Sequence, residues 1–390
     1  MQIATHRRAL AASLAGVLIL ALAACGGGSG GSGTKPAATG TGAAKAVDWQ
    51  TVTSLADAGG MDALVAAAKK EGQLNVIALP PDWANYGEII KTFEAKYGIK
   101  VNSQNPDGSS QDEINAVKTL KGQSRQPDVM DLGTSFAVSA AQQGLLAPYK
   151  VATWADIPTG LKESSGLWYA DYGGFISIGY DAAKVKTPPT TFKSLNDPIY
   201  KGQVALNGDP TKAGAAFGGV FAAALANGGS FDNAAPGVSY FADLKKKGIF
   251  IPVQASPATI QSGQTPITLD WDYLQAGYAK NLKGKVDWKV VVPSDGLYGS
   301  YYDQGIVKGS PHPAAARLWE EFLYSDEGQN LFLKGLARPV RLDAMTKAGT
   351  VDKTAAAALP PVQGATDFAT LDQITAAQKV IAQNWAKEVG

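Results

Sequence analysis

An α/β protein built of two doubly wound lobes is the fold class this sequence predicts, on three observations. Short apolar runs with strand character alternate with amphipathic segments at helical spacing from about residue 61 onward. The first of these segments are arranged β-α-β, which implies parallel strands joined by right-handed crossovers. The roughly 340 residues that carry the pattern exceed one ordinary hydrophobic core, so two domains are expected.

The chain begins with His6, Arg7 and Arg8, followed by an apolar and small-residue stretch from Ala9 to Ala24. This is the layout of a secretory leader and is too short for a comfortable membrane span. The stretch ends in Leu22-Ala23-Ala24-Cys25-Gly26, which resembles the bacterial lipobox; that likeness implies a lipid on Cys25, with residues 1–24 removed as a signal peptide. Residues 25–46 are almost entirely Gly, Ser, Thr, Ala and Pro, a composition that buries no core and serves as a flexible tether. Cys25 is the only cysteine, so a disulfide framework and a cysteine metal site are both excluded. Losing Arg7 and Arg8 with the leader leaves a nearly neutral chain without a basic stripe, which argues against a nucleic-acid partner.

Each element follows from local pattern. Met61 to Lys70 reads as a helix closed by Gly72, and Leu74 to Leu79 as a short buried strand. Asp82 could cap a helix carrying Ile89, Ile90, Phe93 and Tyr97 on one face; Gly98 ends it before the strand Ile99 to Asn102. Ser110 and Glu113 have capping-box spacing ahead of Ile114, Val117 and Leu120, and the chain returns as a strand over Pro127 to Leu132. A helix from about Ser135 completes the first set. Trp168 to Tyr180 reads as an extended segment leaving it, and Gln203 to Leu206 opens a second set with an Ala-rich helix after Pro210. A helix near Val238 to Lys247, the strands Pro266 to Asp270 and Val290 to Val292, and a returning segment Gly299 to Val307 follow. Helices with Ala316, Trp319, Phe322 and Leu323 on one face close the pattern, and no short-period repeat suggests a solenoid.

Three passages resemble one family. Phe93-Glu-Ala-Lys-Tyr-Gly-Ile-Lys-Val101 and Gln126-Pro-Asp-Val-Met-Asp131 look like its first two helix-strand passages. Gly305 to Pro313, with the helix and the Ser325-Asp-Glu-Gly-Gln329 turn after it, looks like its return crossing and the helices that follow. The family is that of the type II extracytoplasmic solute-binding proteins of ABC importers, in the branch that includes carriers of polyamines, ferric iron and phosphonates. The resemblance implies a two-lobed periplasmic-binding-protein-like fold (type II), its doubly wound lobes joined by a hinge. Lobe 1 is expected over 72–170 plus 303–335 and lobe 2 over 171–302 plus 336–390. The implied partners are a small solute and a membrane permease, with the chain a monomer held by its lipid at the outer face of the cytoplasmic membrane and no cofactor.

Ligands of open α/β sheets lie beyond the carboxyl ends of the strands, which selects the loops holding Asp82 and Trp83, Ser110, Thr134 and Ser135, Asp209 and Lys212, and Trp271 and Asp272. Tyr301, Tyr302 and Asp303 precede the return crossing. Likeness to polyamine carriers points to Tyr301, Asp303, Trp271 and Asp209; aromatic faces and carboxylates suit an organic cation. Asp82, Ser110 and Asp209 also stand where helix caps belong, which is the competing explanation. Strand alternation sets Asp270 apart from Trp271, so Asp272 is preferred to Asp270 on the assumption that the strand has ended by then. Lys212 and the helix starts at Ser110, Thr134 and Ser135 would instead suit a phosphonate or aminophosphonate. The Tyr301–Tyr302 pair resembles the tyrosine pair of ferric-iron carriers, which implies ferric iron as a third reading. An exported hydrolase is the remote alternative: the chain has no Gly-x-Ser-x-Gly elbow, and His312, the only histidine past the leader, lies between prolines in an expected surface turn.

Overall fold

Residues 47–364 and 368–390 are described by the structure, a computed structural model. The expected leader, Cys25 and the tether through residue 46 lie outside the described residues. The first set of elements is α1 (Met61–Glu71), β1 (Gln73–Ile77), α2 (Tyr86–Tyr97), β2 (Lys100–Gln104), α3 (Ser110–Thr119), β3 (Val129–Gly133), α4 (Thr134–Gln142) and β4 (Leu146–Ala147). A long strand, β5 (Tyr169–Asp181), leads to β6 (Val204–Leu206), α5 (Gly214–Ala226), α6 (Ala235–Lys246), α7 (Pro257–Ser262), β7 (Ile267–Trp271), α8 (Asp272–Asn281) and β8 (Trp288–Val291). The chain returns along β9 (Gly299–Val307) to α9 (Pro313–Leu323), α10 (Asp326–Lys334) and β10 (Arg338–Pro339), and ends with α11 (Leu342–Ala348), α12 (Lys353–Ala357) and α13 (Leu371–Glu388).

Local chemistry sets many of these boundaries. Gly72 and Gly98 take left-handed conformations that a side chain would resist, and their N–H groups close α1 and α2 on the Ala68 and Glu94 carbonyls. Helix α5 is apolar all round and buried at every position but Leu225, the pattern of a core helix.

Strands β3, β9, β5, β7 and β6 lie side by side in that order. Strand β1 pairs parallel with β2 and adjoins β3 through the Asp128 N–H, which donates to the Asn75 carbonyl. Antiparallel β5 and β9 belong to both sets: β5 pairs first with β9, which in turn pairs with β3, and then with β7 and β8. These are the two crossing strands. Strand β10 adds a third crossing segment against Tyr172 and Gly173. Glycine is required at the crossing, because a Cβ on Gly174 would run into Asp272 and Tyr273, and one on Gly173 into the Ser300 backbone. Asp272 closes this region: buried, it accepts from the Phe175 and Tyr273 N–H groups and pairs with Arg338, whose guanidinium lies 5.0 Å from the Phe175 ring centre.

Helix α13 rests on both sets. Leu371 packs against the cluster of Met130, Phe136 and Trp168, whereas Trp385 sits edge-on to Phe241 and Phe250 at the far end.

Several expected caps are placed differently. The capping box of α3 is Ser109 with Asp112, one residue earlier than the spacing suggested. Asn85, in a left-handed conformation, precedes α2 in place of Asp82, and α5 begins at Gly214 and not beside Asp209. His312 is buried, not in a surface turn: Asp128 accepts from its backbone N–H and bonds its ring Nδ1, both at 2.8 Å. That bond and the Asp128 charge raise the imidazole pKa above its usual value despite burial.

Candidate functional site: an acidic cavity between the two sets of strands

A cavity of ≈ 570 Å³ lies where the loops after β1 and β2, the start of α3 and Asp131 of β3 meet the loop after β6, the segment before α7 and helix α8. Asp82, Trp83, Asp107, Ser110, Asp112, Glu113 and Asp131 line it from the first set. Asn207, Asp209, Lys212, Gln254, Ser256, Leu274 and Tyr278 line it from the second, and Tyr302 from the crossing strand β9. The volume falls in the range that holds a small organic molecule, about 300–1,000 Å³.

Asp131 is a buried acid of the first side. Its Oδ2 accepts from the Tyr86 hydroxyl (2.9 Å) and the Tyr172 hydroxyl (2.8 Å), while Oδ1 has no partner among the described residues. Trp83 Nε1 donates to the Tyr172 hydroxyl at 2.7 Å, tying the loop after β1 to this network. A register shift between Ala170 and Gly173 lets the consecutive residues Asp171 and Tyr172 both serve it: Asp171 accepts from Gln304 Nε2 at 3.0 Å, and Gln304 also donates to the Tyr86 hydroxyl. Burial raises the Asp131 pKa above the usual carboxylate range in spite of the two phenol bonds. Asp171 is raised by burial and by the Asp131 charge. Glu113, which accepts from the Asp131 N–H, is pushed up by the same two causes.

On the second side Asp270 accepts from Asn207 Nδ2 (2.9 Å) and from the Tyr278 hydroxyl (3.2 Å), two groups of the cavity wall. Burial pushes its pKa up to about 7. Asp209 folds back on its own loop, accepting from the Thr211 N–H and hydroxyl and pairing with Lys212 at 3.2 Å. Burial opposes ionisation of Asp209, but the Thr211 and Lys212 contacts outweigh it and lower the pKa.

Strand β9 divides its residues between two faces. Gly133 and Asp131 of β3 are register partners of Tyr302 and Gln304, so these four share the cavity face. Leu132 is the partner of Asp303, which lies with Tyr301 on the opposite face. There Tyr301 packs against Phe368 at 5.5 Å, the Tyr301 carbonyl accepts from Thr134 Oγ1, and gaps of only ≈ 10 and ≈ 20 Å³ remain, bordered by Ile374 of α13. A Cβ on Gly133 would stand 3.1 Å from the Gly214 Cα, so the helix starts of α4 and α5 touch and separate this packed half from the open cavity.

The sequence profile of the bacterial extracellular solute-binding proteins matches residues 124–363, more than half of the chain. The chain belongs to that family. The solute-binding protein is 28% identical over 260 residues to an uncharacterised protein of Haemophilus influenzae, spanning 63% of this chain and 70% of the relative. Its fold is that of the periplasmic binding protein AfuA from Actinobacillus pleuropneumoniae, solved with fructose-6-phosphate (TM-score 0.64, 20% identity, 81% of this chain and 98% of that one). Iron-bound HitA from Pseudomonas aeruginosa is similar too (TM-score 0.58, 20% identity, 82% and 99%). Two such different ligands on one fold mean that the solute must be argued from the site itself.

Of the residues selected from the sequence, Asp82, Trp83, Ser110, Asp209, Lys212 and Tyr302 line the open cavity of the solute-binding protein. Ser110 does so from the first turn of α3, where its Oγ also accepts from the Gly133 N–H at 3.2 Å. Thr134, Ser135, Trp271, Tyr301 and Asp303 lie in the packed half. Trp271 stacks between Tyr273 and Tyr298 with its Nε1 unpaired among the described residues. Strand β7 does end at Trp271 as assumed, but Asp272 then turns into the crossing region and Asp270 is the acid that reaches the cavity wall. Asp131 and Tyr278 were not selected; an acid inside the fully buried strand Val129–Gly133 was the available signal for the first.

Proposed function

We propose that this solute-binding protein captures a small organic cation, a polyamine such as putrescine or spermidine, in the open cavity and delivers it to an ABC-type permease. The observation that carries the reading is the charge of the wall: Asp82, Asp107, Asp112, Glu113, Asp131 and Asp209 face the cavity with Lys212 as the single cation among the described lining residues. Lys212 is already paired with Asp209. Trp83, Tyr278 and Tyr302 supply aromatic surface, and an ammonium on such a face gains about 0.5–2 kcal/mol. In this reading residues 72–170 with 303–335 form one lobe and 171–302 with 336–390 the other. They close about β5, β9 and β10 because only the closed form brings both walls to the ligand. Lipid on Cys25 would hold the monomer at the outer face of the membrane, within reach of the permease.

A thermal-shift series on the purified protein tests the solute class with putrescine, spermidine, 2-aminoethylphosphonate, fructose 6-phosphate and ferric iron. A polyamine at about a hundred times its Kd should add about 2.7 kcal/mol of stability. A shift with the phosphonate alone would overturn the cation reading. It would favour the second one, in which Lys212 and the backbone N–H of Ser110 at the start of α3 receive an anion.

A further inference from the structure

We propose that Asp131 is a buried ammonium subsite: its free carboxylate oxygen receives one primary amine of the solute at the floor of the cavity, beside the rings of Trp83 and Tyr302. The proposal rests on the cation reading and makes it specific to one atom.

The two oxygens of Asp131 are not equivalent. Oδ2 is saturated by the Tyr86 and Tyr172 hydroxyls, and the backbone N–H of the same residue is taken by Glu113. Oδ1 is buried, has no partner among the described residues, and belongs to a side chain that lines the cavity. A buried acceptor left unpaired is costly, on the order of 1–3 kcal/mol, and more when it is charged. A donor from the solute would remove that cost.

The surroundings select the donor. Facing Asp131 are Tyr86 from α2, Glu113 from α3, Asp171 and Tyr172 from β5, Tyr273 from α8, and Tyr302 and Gln304 from β9. Asp303 on the far face of β9 and Glu320 of α9 add their fields at longer range. All of these are acids or neutral groups, so no protein cation in the set competes for the site. The aromatic wall is continuous: Trp83 meets Tyr302 edge-on at 5.5 Å and Tyr273 at 6.3 Å, and Tyr172 lies parallel to Tyr302 at 5.7 Å.

One free oxygen suits a compact ammonium better than a guanidinium, which prefers to engage two oxygens at once. A metal ion held by carboxylate or imidazole ligands is a poorer match, because no group of three His, Cys, Asp or Glu side chains is placed to hold one among the described residues. Burial raises the Asp131 pKa, and a bound ammonium would restore the charged form, so capture is coupled to pH. Affinity is fullest where Asp131 is ionised and declines as acid protonates it.

Calorimetric titration of putrescine and spermidine into the wild-type protein and Asp131→Asn, from about pH 8 to about pH 6, tests the subsite. The asparagine keeps a carbonyl oxygen for the two tyrosines. Kd at the upper pH is expected to rise at least about tenfold in Asp131→Asn, the equivalent of about 1.4 kcal/mol. Wild-type affinity should weaken toward acid more steeply than that of the variant, in which only the other buried acids, Glu113 and Asp270, still titrate. Wild-type binding that is tight but independent of pH would overturn the subsite whether or not the variant folds, and so would equal affinity of a folded variant. Failure of the wild type to bind either polyamine would instead overturn the cation reading, and the subsite with it.

Discussion

The interlobe region contains two buried acids only a few residues apart in the sheet, each with one oxygen unpaired among the described residues: Asp131 on β3 and Asp303 on β9. Asp131 opens onto a cavity of ≈ 570 Å³, while Asp303 borders a gap of ≈ 20 Å³, room for about one water. Chemistry does not separate them. What separates them is which face of the sheet each occupies and what packs there. The cavity face meets loops from both sets of strands, whereas the other meets Phe368, Leu371 and Ile374 of the C-terminal segment. The same strand thus offers an open, acidic wall and a packed one, and adjacent tyrosines fall on either side.

The contrast can be broken at its anchor first. Trp385 holds the far end of α13 between Phe241 and Phe250, and Trp385→Ala should cost about 3–5 kcal/mol in a urea unfolding curve. If the loss is under about 1 kcal/mol, α13 is not an integral part of the packed half. Acidity comes next. Asp270 is pushed up to about 7, and Asp131 and Glu113 are raised by burial. The folded state therefore holds these protons more tightly than the unfolded one. Their stabilising contribution is full below the ordinary carboxylate pKa and is lost as pH rises through the folded values. Ligand-free protein should consequently lose stability between about pH 5 and pH 8, by up to about 1.4 kcal/mol per pH unit for each proton released. A melting temperature that climbs across that interval would contradict it.

Binding sharpens the comparison further. Trp83→Ala should weaken polyamine binding at least about tenfold, or about 1.4 kcal/mol, while Asp303→Asn should change it less than about twofold. A tenfold loss in Asp303→Asn, measured by the same titration, would move the solute into the packed half and reverse the assignment. Lys212→Ala carries the smallest effect. The Lys212–Asp209 pair is exposed, so stability should change by less than about 1 kcal/mol, and cation affinity should rise severalfold as Asp209 is freed. A fall in affinity would favour the anion reading.

Period and punctuation in the sequence determined a good deal. The succession of β and α elements, the glycine stops at Gly72 and Gly98, and the return segment Gly299 to Val307 were legible because they depend on neighbours within a few residues. So were the loops that supply Asp82, Trp83, Asp209 and Lys212, since the carboxyl ends of strands are where an α/β sheet exposes backbone and side chains together. The caps assigned to Asp82 and Asp209 missed because the loops before α2 and α5 run several residues further than spacing alone suggests, and that at Ser110 because Ser109 with Asp112 offers the same spacing one residue earlier. Only the tertiary structure decided between Asp270 and Asp272, and between Tyr302 and Tyr301 with Asp303. Each choice depends on strand register and on a partner distant in the chain: Arg338 draws Asp272 into the crossing, and Gly133 beside Tyr302 fixes the cavity face. Local pattern can place a carboxylate at the end of a strand, but it cannot say which side of the sheet will remain open once residues distant in the chain have packed against the other.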